Sequence, residues 1–130
     1  MNDNVKYWLD LTDYDIQTAK VMLDGGRYLY VGFMCHQVIE KALKAIIARD
    51  CAEDELPPKI HNLIKLANKA SLYEKMSAEQ LEFIDAMNPL NVEARYPDYK
   101  NRIAANLSAE SCKQIIEGTE ALLCWIKEQL

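Results

Sequence analysis

Apolar residues recur at intervals of three and four positions along most of this chain, which is the pattern of amphipathic helices. The pattern predicts three long helices and two short ones: Asp3–Asp24, Tyr28–Arg49, about His61–Ala70, a segment that opens at Ser77, and a last helix from Leu107-Ser108 to the C-terminus. Ser77 and Gln80 have the spacing of a helix-capping box. No strand pattern or internal repeat is visible, so the sequence predicts an all-α fold.

The second predicted helix is the most apolar segment of the chain and contains no proline. Because Gly25-Gly26 leaves only a short turn before it, we expect this helix to run antiparallel to the first. A helix that is apolar on most sides must pack against several neighbours, which predicts a central position in a bundle. Gly32 lowers its helix propensity and indicates a close helix contact.

The longest segment without helical periodicity runs from Pro89 to Asn106, and Pro97 is expected to break any continuous helix there. Arginine donates in a planar fork that suits phosphate or carboxylate, and tyrosine can stack on a base. Part of this segment combines such residues, which predicts a ligand or partner contact by Arg95, Tyr96, Asp98, Tyr99, Lys100 and Arg102. In the structural alternative, Arg95 pairs with Asp98 while the tyrosines pack the loop onto the bundle.

A narrow polar seam interrupts the second helix. His36, Glu40 and Lys44 are spaced four residues apart and therefore stack on one side, with Gln37 and Lys41 beside them. A histidine and a carboxylate one turn apart can perform acid–base work, or supply two metal ligands. The structural alternative is a satisfied seam that faces a neighbouring helix or a second subunit. His61 is a second histidine of interest, although it can simply cap the short helix that it precedes.

Composition and charge limit the function classes. At 130 residues, with half of them hydrophobic, the chain is expected to form a single domain over 1–130. The formal net charge of −5 excludes a general basic field for nucleic acid, so any nucleotide contact must use a local patch. No glycine-rich phosphate loop or nucleophile elbow is present.

The cysteines and the hydropathy pattern suggest a reducing compartment. The spacing of the four cysteines matches no zinc pattern, so no metal site or cofactor is expected. Cys35, Cys112 and Cys124 fall at apolar helical positions, which predicts free, buried thiols. The N-terminus lacks a signal-peptide pattern, and charges interrupt the longest apolar run. We therefore expect a cytoplasmic protein without a membrane span.

The order of several short motifs resembles the HEPN domain family, over nearly the whole chain. The matching segments are Tyr7-Trp8-Leu9 with Asp13 and Ala19, Gly26-Arg27-Tyr28, Cys35-His36-Gln37, Glu40-Lys41-Ala42-Leu43-Lys44-Ala45, Pro57-Pro58, His61-Asn62-Leu63 and Ala94-Arg95-Tyr96-Pro97-Asp98. The resemblance is strongest to stand-alone bacterial HEPN proteins. It implies an up-and-down four-helix bundle with an additional short helix, usually a homodimer. It also implies a minimal nucleotidyltransferase as partner, in a toxin–antitoxin-like pair.

Many members of the wider family are metal-independent RNases with an Arg-x4-6-His motif, and this chain departs from that motif. Arg27 precedes His36 by eight intervening residues, and Arg49 precedes His61 by eleven. No histidine follows Arg95. The departure favours a module without enzymatic activity that binds a nucleotide or a partner protein.

Two alternatives to the binding module stay open. The first is an RNase with a non-standard site, in which His36 or His61 of one subunit meets Arg95 of another and acts on RNA. The second is a purely structural dimerisation module. Under the binding hypothesis, the ligand or partner contacts are the six loop residues named above together with His36, Gln37, Glu40 and Lys44.

Overall fold

Six α-helices make up most of the regular structure in the described part of this protein. The computed structural model describes residues 2–52, 54–92 and 96–130, and these residues contain no strand. The helices are α1 (Asp3–Asp24), α2 (Tyr28–Arg49), α3 (Leu63–Lys69), α4 (Ala78–Met87), α5 (Pro97–Ala105) and α6 (Ala109–Glu128). Short 3₁₀ turns lie at Tyr73–Lys75 and Asn88–Leu90. The predicted all-α helical bundle is confirmed, and α1 and α2 have the predicted bounds.

Local capping signals explain where several helices begin. The Ser77 hydroxyl accepts a hydrogen bond from the Gln80 backbone, and the Gln80 side chain accepts one from the Ser77 backbone, as the capping-box spacing predicted. Ser108 and Ser111 form a second such box at the start of α6. At the turn after α1, Gly26 adopts a φ of 71°, which a residue without a Cβ adopts at little cost.

Helix α5 lies inside the segment that was predicted to be irregular. Pro97 does not break this helix but begins it, which corrects the prediction. Proline is tolerated in the first turn because its missing N–H would have no intrahelical partner there, and its fixed φ already suits the helix. Tyr96, directly before it, is extended, as the residue preceding a proline prefers.

Helix α2 is the centre of the molecule, as its composition predicted. It packs against α1, α3, α5 and α6, and the side chains of Ile39, Leu43 and Ile46 are fully buried. A Cβ built on Gly32 would lie 3.2 Å from Cδ1 of Leu90. The close contact predicted at this glycine is therefore made with the 3₁₀ turn that follows α4.

The cysteines follow the sequence prediction only in part. All four thiols are free, and Cys35 and Cys112 are buried as expected. Cys51 is half-buried and Cys124 is exposed, so the prediction of a buried thiol at Cys124 was wrong. Burial raises the pKa of Cys35 to about 12, which keeps this thiol protonated and unreactive at neutral pH.

Candidate functional site

Glu40 is the centre of a buried polar cluster on α2. Its side chain is 5% exposed, and one carboxylate oxygen, Oε2, accepts a hydrogen bond from Lys44 Nζ at 3.0 Å. The other oxygen, Oε1, lies 3.1 Å from Nδ1 of His61, which precedes α3. Glu40 thus joins two elements that are 21 residues apart in the chain.

Lys44 balances the charge of Glu40 inside the bundle. Its side chain is only 8% exposed, and Nζ lies 5.7 Å from the centre of the Trp8 ring on α1. The ring face attracts the ammonium group, while the carboxylate of Glu40 satisfies its charge. The pair therefore forms a neutral support for the groups around it.

His36 lies one turn before Glu40 and is fully buried. Its Nδ1 is 3.7 Å from Glu40 Oε1, which is too long for a hydrogen bond. Among the described residues, neither ring nitrogen has a hydrogen-bond partner; the His61 backbone lies close by without the required geometry. Burial lowers the pKa of His36 to about 4, and the Glu40 carboxylate offsets only part of this effect, so the ring is neutral at pH 7.

His61 brings the cluster to the molecular surface. Its side chain is 58% exposed, whereas the carboxylate that it contacts is buried. An ionised carboxylate can only accept, so Nδ1–H of His61 donates to Glu40, and Nε2 is left for other contacts. The cap of α3 is supplied by Asn62, whose Oδ1 accepts from the Lys65 backbone, and not by His61.

A surface cavity of about 240 Å³ opens beside His61, and its lining comes from α5 as well as from the segments around α3 and α4. The lining residues are His61, Asn62, Asn88, Pro89, Asn91 and Tyr99. The Tyr99 hydroxyl donates to the backbone oxygen of Pro89 at 3.1 Å, and the Arg102 guanidinium lies 5.7 Å from the Tyr99 ring centre. The polar seam of α2 and the aromatic segment of α5 therefore meet at this cavity through His61 and Tyr99.

The remaining residues of the predicted site are more dispersed. Tyr96 is 86% exposed, Asp98 and Arg102 are exposed, and Lys100 and Gln37 are half-buried. Lys41 forms an ion pair with Asp15 of α1 at 2.6 Å and takes no part in the Glu40 cluster. Arg95, like Ala94 of the same motif, lies outside the described residues.

The three asparagines of the cavity were missed by the sequence reasoning. Asn62 occupies a helix cap, and Asn88 precedes a proline in a turn; asparagine is common at both kinds of position for purely local reasons. Only the position of Asn62 directly after His61 was a signal that could have drawn attention to it.

Two kinds of feature are absent from the part of the chain that the structure describes. No group of three or more histidine, cysteine, aspartate or glutamate side chains is arranged to hold a metal ion there. None of the described helices has the length and apolar character that crossing a membrane requires.

Comparison with known proteins identifies the family. The chain is similar in fold to the protein TT1696 from Thermus thermophilus, with a TM-score of 0.80 and 19% identity over 99% of this chain and 100% of that one. It is also similar to ST0689, an archaeal HEPN homologue, with a TM-score of 0.74 and 22% identity over 96% of each chain. A search of curated proteins found no match. Residues 5–129 match the HEPN domain model, and the chain therefore belongs to the HEPN domain family.

Proposed function

We propose that this protein is a non-catalytic HEPN module that binds a nucleotide at the cavity beside His61 and docks a minimal nucleotidyltransferase. The single observation that supports a ligand site is the link between a buried charge cluster and an exposed histidine at a polar cavity. Burying a charged pair costs desolvation free energy, and such pairs in contact with a cavity are common at functional sites. Here Glu40 accepts a hydrogen bond from the His61 ring, which lines the cavity.

The size of the cavity is consistent with one part of a nucleotide. Sites for complete small ligands have volumes of roughly 300 Å³ or more, whereas this cavity has about 240 Å³. One group of the nucleotide would enter the cavity, and the rest would lie across the exposed side chains of α5 and of Tyr96, which precedes it. Tyr96 and Arg102 are available there for stacking and for charge contacts.

Calorimetric titration with nucleoside mono- and triphosphates tests the ligand part of the proposal. We expect binding that weakens by about tenfold or more in His61→Gln, which removes the imidazole from the cavity lining, and in Tyr99→Ala, which removes the aromatic ring. Tyr14→Ala is the matched control, since Tyr14 is 72% exposed on α1 and lies outside the cavity lining. Equal binding by all four proteins would place the ligand elsewhere and refute the site.

Co-expression with a nucleotidyltransferase encoded nearby tests the partner part. We expect the two proteins to copurify, with the HEPN chain as a homodimer in analytical ultracentrifugation. If neither a nucleotide nor such a partner binds, the proposed function is wrong. A dimer that binds neither would instead fit the purely structural dimerisation module.

The alternative function, a metal-independent RNase with a non-standard Arg/His site, is favoured by one contact. Nδ1 of His61 donates to a buried carboxylate, which is how enzymes orient a histidine that acts as a general base. His36 is buried and has no surface from which to contact RNA, so this alternative rests on His61. RNA cleavage in chelator that disappears in His61→Gln, and falls in Glu40→Gln, would favour the RNase over the binding module.

A further inference from the structure

Two asparagines that line the cavity, Asn62 and Asn88, have side-chain amides whose orientation is fixed by hydrogen bonds to the backbone. Oδ1 of Asn62 accepts a hydrogen bond from the Lys65 backbone at 3.0 Å. Oδ1 of Asn88 accepts one from the Leu63 backbone at 2.8 Å. A backbone N–H can bond only to the oxygen of a side-chain amide, so these contacts determine which atom of each amide is the nitrogen.

The amide nitrogens are therefore the groups that these side chains have left for a ligand. Among the described residues, no acceptor takes a hydrogen bond from either nitrogen. An amide nitrogen donates two hydrogen bonds and accepts none. Asn62 and Asn88 both line one cavity, so two of its residues have an amide donor without a partner in the described part of the chain, and the ligand group that matches such donors is an acceptor.

Two charged groups near the cavity are compatible with a bound anion. The negative charge of Glu40 is paired with Lys44 at 3.0 Å and is shielded from solvent. The Arg102 guanidinium does not line the cavity, but it lies 5.7 Å from the ring centre of Tyr99, which does, and so adds a positive charge nearby. A negatively charged acceptor suits the two amide donors better than a neutral one, because a charge-assisted hydrogen bond is about twice as strong.

We propose that the cavity recognises an oxyanion, with the amide nitrogens of Asn62 and Asn88 donating to its oxygens. This inference rests on the proposed function and identifies the phosphate, and not the base, as the part of the nucleotide that enters the cavity. A carboxylate has the same acceptor chemistry, so the experiment must separate these two sources.

Titration of the full chain by NMR distinguishes the parts of the ligand. We expect AMP and inorganic phosphate to shift the side-chain amide signals of Asn62 and Asn88, while adenosine leaves them unchanged. Acetate is the carboxylate probe. Tighter binding of phosphate than of acetate would identify the recognised oxyanion as a phosphate, and the reverse order would identify it as a carboxylate. Adenosine binding as tightly as AMP, with no competition from phosphate, would overturn the inference and leave nucleotide binding intact.

Substitution by aspartate tests the donors without removing the backbone contacts. Asn62→Asp and Asn88→Asp keep an oxygen for the Lys65 and Leu63 backbone groups, so the fold is retained. Both changes replace an amide donor with a charged acceptor, and we expect binding of phosphate and AMP to weaken by about tenfold or more.

Asn68→Asp is the matched control for these variants. It introduces the same charge on α3, but Asn68 lies outside the cavity lining and its amide nitrogen donates to the Ile64 backbone. We expect less than about a twofold change in phosphate affinity, as for an exposed charge screened by salt. Equal weakening in all three variants would indicate a general charge effect and contradict the inference. Phosphate binding without AMP binding would keep the oxyanion site and refute the nucleotide function.

Discussion

Two consecutive residues of α2 use their charges in different ways. Lys41 forms a one-to-one ion pair with Asp15 of α1, with 2.6 Å between Nζ and Oδ2. Glu40 contacts Lys44 and His61 and lies near His36, so three cationic or titratable side chains share one carboxylate. The first arrangement joins two helices, whereas the second continues to the surface at a cavity.

Solvent access explains why these two contacts differ in consequence. The side chain of Lys41 is 20% exposed, so its ammonium group can bind water if its partner is lost. Glu40 and Lys44 are 5% and 8% exposed and have no comparable alternative. Glu40 and Lys44 therefore depend on each other for charge compensation, whereas the exposed His61 depends on Glu40 only for the orientation of its ring.

Removal of the shared carboxylate is expected to have the largest effect. Glu40→Ala leaves the buried Lys44 without a counter-ion and His61 without its acceptor, so we expect a loss of about 3–5 kcal/mol in the free energy of unfolding. Urea denaturation measures this loss. Glu40→Gln keeps an acceptor and a similar volume and should lose less. A loss below about 1 kcal/mol in Glu40→Ala is the value typical of a solvent-exposed ion pair, and it would contradict the burial of this cluster.

Acid is expected to destabilise the protein through His36. The folded protein holds this ring neutral with a pKa of about 4, below the usual 6.5, so the unfolded chain binds the proton first as pH falls. The contribution of His36 to the free energy of unfolding is therefore fully present above pH 6.5. It is lost as the pH falls to about 4, and this loss is about 3 kcal/mol at most. Denaturation from pH 7 to pH 4 should show a steeper decline in wild type than in His36→Gln. Parallel curves would contradict a buried neutral ring.

Loss of the Lys41 ion pair is expected to have a smaller effect. Asp15→Ala removes a carboxylate that is 7% exposed but leaves Lys41 able to turn toward water, so we expect a loss of about 1–2 kcal/mol. Nucleotide affinity should not change, because neither residue lines the cavity. If this variant were as unstable as Glu40→Ala, the proposed difference between the two contacts would be wrong.

The smallest change in stability is expected at the exposed end of the cluster. His61→Ala removes one hydrogen bond to Glu40 but leaves the Glu40–Lys44 pair in place, so a loss of about 1 kcal/mol or less is expected. Thermal unfolding measures it. A loss close to that of Glu40→Ala would show that His61 supports the core and is not simply positioned by it.

Local signals predicted the helices better than they predicted the site. The ends of α1 and the Ser77 capping box depend on adjacent residues, so the sequence was sufficient for them. The failure at α5 arose because Pro97 breaks a helix interior but favours a first turn, and the periodicity there was too short to distinguish these cases.

The candidate site depends on contacts that no local pattern encodes. The four-residue spacing correctly predicted that His36, Glu40 and Lys44 lie on one side of α2, because helix geometry determines those distances. Spacing did not predict the hydrogen bond between Glu40 and His61, since this contact depends on the path by which the segment after α2 folds back onto that helix. The amide oxygen of Asn88 bonds to Leu63, 25 residues away, for the same reason.

The contact between Gly32 and Leu90 makes the cavity adjustable from a distance. Any side chain at position 32 would press on Leu90, because a Cβ there already lies 3.2 Å from Cδ1 of that residue. Leu90 belongs to the same 3₁₀ turn as Asn88 and Pro89, which line the cavity. A single methyl group added near the start of α2 would therefore press on the turn that lines the cavity, so the shape of the cavity depends on a residue that is not part of its lining.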